Sequence, residues 1–188
     1  MSLDEVLREA LGLLRDGVAD RHSAFRTPTL ATVDGEGGPD LRTVVLRAFD
    51  ASARTLAVHT DARSAKAAQL RANPLVALHV WDAGRRLQIR LRGRASLHTD
   101  DATARAAWDG LSSFGRQLYR VRPIPGTTLP DPSEAQLDLL PEADGFGLLT
   151  VIAVAFDRLD SLRLTDDGQI RARFDWSADG CRTAWIVP

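Results

Sequence analysis

Among the 188 residues there is one cysteine, one methionine, one tyrosine and, against 23 arginines, a single lysine. Standing alone, Cys181 excludes an intramolecular disulfide and any zinc site built from cysteines. Net charge is nearly absent: 24 basic residues against 25 acidic ones leave −1, which gives no global electrostatic reason to seek nucleic acid or an anionic membrane. No run approaches the ~18 apolar residues of a membrane span. Acids interrupt the apolar residues of the opening MSLDEVLREALGLLRDGVADR, so it does not read as a signal peptide. The expectation is a soluble, cytoplasmic protein of one domain spanning 1–188, long enough to bury roughly 70% of its unfolded surface. Also missing are G-x-S-x-G, H-E-x-x-H, the P-loop and G-x-G-x-x-G, and with them the signatures of the commonest hydrolytic and nucleotide-binding sites. His22, His59, His79 and His98 are scattered without ligand spacing, so no metal is expected.

What is present is a short helix followed mostly by β. Leu3, Val6, Leu7, Ala10, Leu14 and Val18 recur at spacings of three and four, one helical stripe within 1–20, and Ser2 with Glu5 makes a capping box. Strands are predicted at Thr29–Val33, at Leu41–Phe49 as its hairpin partner across the Gly-rich turn 34–39, and at Thr55–Thr60. A helix is predicted at Ser64–Ala72, with Ser64 able to cap it and Asn73-Pro74 ending it. Strands follow at Leu75–Trp81 and Leu87–Ala95, then a helix at Asp100–Leu111. Five prolines between 121 and 145 make that segment a long loop, of the kind that serves as a lid or binding loop. Strands resume at Leu148–Phe156, Ser161–Leu164, Ile170–Asp175 and Thr183–Val187. About eight short strands in antiparallel order, without βαβ alternation, indicate a mainly β barrel or sandwich with attached helices.

The stretch richest in chemistry runs from Arg42 to Pro74. Thr60 to Lys66 passes from a strand end into a helix start. There, free backbone N–H groups, the positive end of the helix dipole and Arg63, Ser64 and Lys66 suit a phosphate; the same residues also describe an ordinary capped helix with a solvated basic first turn. In the strand at 87–95, Gln88, Arg90 and Arg92 share one face, and Leu87, Ile89 and Leu91 share the other. Arg42 and Arg47, five apart, point to opposite faces of a regular strand, which places Arg47 away from the phosphate. Arg85, Arg86, Arg90, Arg92 and Arg94 invite a nucleic-acid reading, but one tyrosine and a net charge of −1 supply neither stacking platform nor basic groove.

Arg42-x-Val-Val-Leu-Arg47, then Thr60-Asp-x-Arg-Ser-x-Lys-x-x-Gln-Leu70, then Asn73-Pro74, then Leu87-Gln-Ile-Arg-Leu-Arg-Gly93, in this order, resembles the pyridoxamine 5′-phosphate oxidase-like FMN-binding proteins over roughly 25–188. The resemblance implies a split antiparallel β-barrel with flanking helices and a homodimer with FMN at the interface. It implies that Arg42, Thr43, Val44, Val45 and Leu46 hold flavin ring and phosphate, that His59-Thr60 stands where the family has Tyr-Thr, and that Ser64 and Lys66 grip the phosphate. The family's second basic residue there is Ala65 in this chain, and Arg63 supplies the missing charge. Gln88 corresponds to the glutamine that reaches the flavin across the dimer, and Arg173 to the late arginine at the ring.

Arg47, Arg171 and Arg116 are the candidates for binding substrate, and no protein residue is assigned as catalytic because the flavin carries the chemistry. The vitamin B6 phosphate motif is incomplete. Gln169-Ile170-Arg171 stands where those oxidases have Arg-x-His, and Arg163-Leu164 where they carry a Trp. The implied activity is oxidation of a small amine or alcohol, pyridoxamine and pyridoxine phosphates among the candidates, with dioxygen as acceptor. The alternatives are an FMN reductase or a non-enzymatic flavin- or haem-binding barrel.

Overall fold

A computed structural model of the chain describes residues 1–135 and 139–188. The capping box forms as read. The Ser2 side chain accepts from the Glu5 N–H (3.2 Å) and the Glu5 carboxylate accepts from the Ser2 N–H (2.6 Å), which opens helix α1 (Leu3–Ala19). The stripe turns Val6, Ala10, Leu13 and Leu14 into the core. A single 3₁₀ turn at Ala24–Arg26 seats the fully buried Phe25 against that helix.

Among the described residues nine antiparallel strands follow: β1 (Thr29–Val33), β2 (Pro39–Thr43), β3 (Leu46–Asp50), β4 (Thr55–Asp61), β5 (Leu75–Asp82), β6 (Leu87–His98), β7 (Leu149–Thr165), β8 (Gly168–Ser177) and β9 (Gly180–Trp185). Their order is β2-β1-β5-β6-β7-β4-β3, with β8 on β7 and β9 on β8. Helix α2 (Ala65–Ala72) follows β4, while α3 (Ala102–Asp109) and α4 (Ser113–Gln117) lie between β6 and β7. This is the expected mainly β split barrel with helices around it. β6 shows the alternation that fills it: Leu87, Ile89 and Leu91 are buried and Arg90 and Arg92 exposed. β7 does the splitting. β6 follows it along its whole length, whereas its other edge is shared, 149–155 pairing with β4 and 158–165 with β8. The changeover comes at Asp157, which bulges out between Phe156, opposite Gly93, and Arg158, opposite Arg92. A side chain at 93 would lie 2.2 Å from the Ala155 carbonyl oxygen, so the bend in β7 requires glycine there.

Two sequence expectations are corrected. Leu41–Phe49 is not one hairpin partner of β1. The chain leaves β1 after the Val44 N–H bonds the Pro28 carbonyl (2.9 Å), and β3 pairs with β4 instead. Val44 and Leu46 are both drawn into the core, and two short strands in series show the same alternation as one longer one. Leu148–Phe156 and Ser161–Leu164, conversely, are one strand, because Arg158, Leu159 and Asp160 between them pair with β6 beyond the bulge at Asp157. The Pro-rich segment leaves and returns at one place: the Leu140 N–H donates to the Arg120 carbonyl (2.7 Å) and Arg120 Nε donates to the Leu140 carbonyl (2.8 Å). Its residues 136–138 lie outside the described residues. Among the described residues no helix is long and apolar enough to cross a membrane.

Candidate functional site

The sequence-predicted residues fall into three groups. The first is the junction of β4 and α2. On β4, Leu56, Val58 and Thr60 face the barrel interior, so Thr60 ends an apolar row with a buried hydroxyl. Its Oγ1 lies 3.0 Å from Ser64 Oγ and accepts from Lys66 Nζ at 3.1 Å. Ser64 therefore turns its hydroxyl to Thr60 rather than capping its own helix. The Lys66 ammonium is half-buried with no carboxylate in ion-pair range among the described residues, and burial, then the charge of Arg42, push it below the ordinary lysine range.

Arg42 reaches the junction from β2. Its Nη1 donates to Thr32 Oγ1 (2.5 Å), and its Nη2 donates to Gln69 Oε1 (3.1 Å) and to Asp40. Gln69, one turn beyond Lys66 on α2, donates to Asp40 Oδ2 (2.8 Å), and this bond more than Arg42 keeps the Asp40 carboxyl below the usual carboxylate range. Thr43, Val44, Val45 and Leu46 supply the crossing backbone beside it, with Val44 and Leu46 buried. Arg63 is committed elsewhere. It pairs with Asp61 (2.7 Å) and donates to the backbone carbonyls of Val121 (2.7 Å) and Arg122 (3.0 Å), tying the start of the Pro-rich segment to the junction.

Arg47 and His59 form a second group, on the opposite face of β4. Leu46 faces Val58 and Ala48 faces Ala57, so Arg47 is the extra residue of a β-bulge. Both Arg47 and His59 line an open cavity of about 500 Å³ that α3 also borders. His59 Nδ1 is buried there without a hydrogen-bond partner among the described residues, and burial, then Arg47, lower its pKa from 6.5 to about 4. Because the folded value lies below the unfolded one, the unfolded chain binds the proton more readily between these two pH values. His59 therefore costs no stability above about pH 6.5, and stability is lost as pH falls from there towards 4. Chemical denaturation at about pH 7 and about pH 4.5 is expected to show a smaller acid loss in His59→Gln than in the parent chain.

The third group lies along β6, β7 and β8. Arg171 and Arg90 both pair with the buried Asp160 (3.0 Å each), Arg173 pairs with Asp175 (3.3 Å), and Arg171 and Arg173 line one shallow cavity. Gln88, on the same face of β6 as Arg90, accepts through its Oε1 from His79 Nε2 at 3.2 Å. This group does not meet the first. On β7, Thr60 is opposite Thr150 and Arg173 opposite Asp160, ten residues apart, roughly 33 Å of extended strand. Arg116 stands apart from all three groups, its guanidinium over the Trp108 ring (5.4 Å) and its Nε donating to the Trp108 carbonyl (3.3 Å).

Sequence reasoning missed Thr32, Asp40 and Gln69, the residues that fix Arg42. Gln69 sits three positions after Lys66, on the same helical face, and that spacing was the available signal. Thr32 and Asp40 become neighbours only through strand pairing, where Thr32 faces Asp40.

The junction fits a phosphomonoester: a desolvated ammonium and two small hydroxyls converge, with a second cation behind them, and an anion there would relieve both causes of the depressed Lys66 pKa. Comparison with known proteins was made over the whole chain. Residues 10–99 match the model of the pyridoxamine 5′-phosphate oxidase, FMN-binding domain. Curated relatives named pyridoxine/pyridoxamine 5′-phosphate oxidase include one from Hyphomonas neptunium, 37% identical over 87 residues (44% of this chain, 39% of that one). Another, from Azorhizobium caulinodans, is 36% identical over 97 residues (52% and 45%). The chain thus spans about two fifths of the length of such relatives. Among solved structures, a pyridoxamine 5′-phosphate oxidase-related, FMN binding protein from Nostoc punctiforme shares the fold at a TM-score of 0.80 and 24% identity, covering 100% of both chains. PhzG from Burkholderia lata does so at 0.77 and 15%, covering 98% of this chain and 92% of that one. Residues 10–99, just under half of the chain, thus match the FMN-binding domain of pyridoxamine 5′-phosphate oxidase, and the split barrel built on them is the fold of the solved structures it resembles.

Proposed function

We propose that the protein is an FMN-dependent oxidoreductase acting on a small amine or alcohol, and that it works as a homodimer. The observation that carries this reading is the chain's only lysine, half-buried at the β4–α2 junction and bonded to the Thr60 hydroxyl that Ser64 also meets, with no carboxylate in ion-pair range among the described residues. In this reading Thr60, Ser64 and Lys66 bind the FMN phosphate, and Arg42, fixed by Asp40, Thr32 and Gln69, adds a second positive charge. The backbone of Thr43 to Leu46 lies beside the ring. With FMN in place, the chemistry supplied is acceptance of a hydride from a C–H beside an amine or alcohol, with dioxygen as terminal acceptor.

Two or three charged hydrogen bonds contribute ~1.5–3 kcal/mol each, whereas micromolar binding takes about 8 kcal/mol after ordering costs. Burial of the ring has to supply the remainder. Gln88 and Arg173 lie too far along the sheet to join Lys66 within one protomer, so a second copy is what brings them to the flavin. Arg47, Arg171 and Arg116 remain the candidates for binding substrate, Arg116 from its place against Trp108 of α3. The test is turnover. FMN-loaded protein given pyridoxamine phosphate, other primary amines and small alcohols is expected to consume dioxygen and release peroxide with at least one of them. Bound flavin that none of these reduces under anaerobic conditions contradicts the reading.

A further inference from the structure

We propose that Ser96, His98 and Asp101 form a second site, at which Ser96 is the nucleophile of an esterase acting on carboxylic esters with a short, apolar acyl group. The activity needs no flavin, so it goes beyond the proposed oxidoreductase function.

The three residues fall within six positions of the chain, and local structure brings them together. On β6 the alternation that buries Leu87, Ile89 and Leu91 leaves Ser96 and His98 on the outer face, roughly 7 Å apart along the strand. Asp100 then takes a left-handed conformation (φ 58°), and the chain enters α3 with Asp101 as its N-cap. The two oxygens of Asp101 do different things. Oδ1 accepts from the Ala104 N–H (2.9 Å), and Oδ2 accepts from His98 Nδ1 (2.8 Å). The Ala104 N–H, then His98, hold the carboxyl below the usual carboxylate range. A carboxylate only accepts, so the imidazole proton is kept on Nδ1 and Nε2 presents its lone pair. Ser96 Oγ lies 3.1 Å from that Nε2, and its other acceptor, the Ala153 carbonyl, is at 3.4 Å.

A helix cap accounts for the bond from Ala104 to Asp101 and needs neither His98 nor Ser96. It does not account for the order of the atoms, hydroxyl on Nε2 and carboxylate on Nδ1. That order activates a serine on unrelated folds and is recognised by geometry, not by a G-x-S-x-G sequence. The surroundings suit a small acyl group. Ser96 is exposed, and across the strands it faces Ala153, which faces Ala57, which faces Ala48, a row of short side chains that leaves the hydroxyl open on that side. Arg94, two positions before Ser96 on the same face, makes no hydrogen bond or ion pair among the described residues and supplies a cation for the oxyanion.

In the reaction the Ser96 oxygen bonds to the ester carbonyl carbon as its proton passes to His98 Nε2. The bond from that carbon to the alcohol oxygen breaks, and the alcohol oxygen takes the proton. A water oxygen then bonds to the acyl carbon, its proton returns through His98 to Ser96, and the acid leaves. One ester and one water give one acid and one alcohol, with no oxidant or reductant.

The experiment is covalent labelling of the full chain with a fluorophosphonate, which marks an activated serine, followed by peptide mass mapping and by hydrolysis of p-nitrophenyl acetate. Label on Ser96 and nitrophenolate release above the buffer rate are expected, both lost in Ser96→Ala. Asp101→Asn keeps a good helix cap but holds the wrong tautomer of His98. It is expected to be labelled about 100-fold more slowly, or slower still, at unchanged thermal stability. A parent chain that takes no label, label on another residue, or ester hydrolysis unchanged in Ser96→Ala each overturns the assignment. Asp101→Asn labelled at the parent rate overturns it too, and makes the cluster a helix cap only.

Discussion

Replacing Lys66 with alanine is expected to weaken FMN binding by about 10- to 100-fold and to leave the fold intact. The size follows from one charged hydrogen-bonding group, ~1.5–3 kcal/mol, at a tenfold change per ~1.4 kcal/mol. The selectivity follows from where Lys66 sits. It lies in the first turn of an eight-residue helix between Ala65 and Ala67, its one hydrogen bond among the described residues is to Thr60, and its ammonium is already disfavoured by burial. Alanine is the better helix former and removes a half-buried charge, so thermal stability is expected to be unchanged or slightly raised. Quenching of FMN fluorescence measures the first quantity and thermal denaturation the second.

Phe174→Ala is expected to give the largest loss of stability of any change near the candidate site, about 3–5 kcal/mol out of the ~5–15 kcal/mol that holds a domain together. Phe174 is fully buried, stacked on Trp176 with centroids 6.3 Å apart, and belongs to the same core as Phe156. It is also the residue of β8 between Arg173 and Asp175, so the ring that fills the barrel is what holds the Arg171 and Arg173 face in place. A urea midpoint shifted down at constant slope is the expected signature, because a cavity changes stability without changing the surface exposed on unfolding.

How much of this was legible in the sequence depends on the distance over which each feature is decided. The capping box of α1, the alternation of β6 and the strand-to-helix passage at Thr60–Lys66 are set by neighbours within a few residues, and all three stand in the structure as read. The break at Val44 was not legible, because β2 and β3 carry one continuous alternation and only their partners, β1 and β4, tell them apart. The bulge at Arg47 was hidden for the same reason. Parity had put Arg47 on the face opposite Arg42, whereas the structure sets it apart by the strand break and by slipping the register against β4. Arg63 looked like a spare phosphate ligand because its actual acceptors, the carbonyls of Val121 and Arg122, lie 58 and 59 residues downstream. Ser64 looked like a cap, and only the buried Thr60 hydroxyl beside it explains why it is not.

The phosphate assignment at the β4–α2 junction is most directly tested by comparing FMN with riboflavin, which has the same ring and no phosphate, on the parent chain and on Lys66→Ala. The account expects the parent chain to bind FMN at micromolar concentration or tighter and riboflavin at least about 100-fold more weakly, two or more charged contacts being absent. It expects Lys66→Ala to lose affinity for FMN while riboflavin binding stays where it was. Equal affinity for the two flavins, or an equal loss of both in the variant, would contradict it.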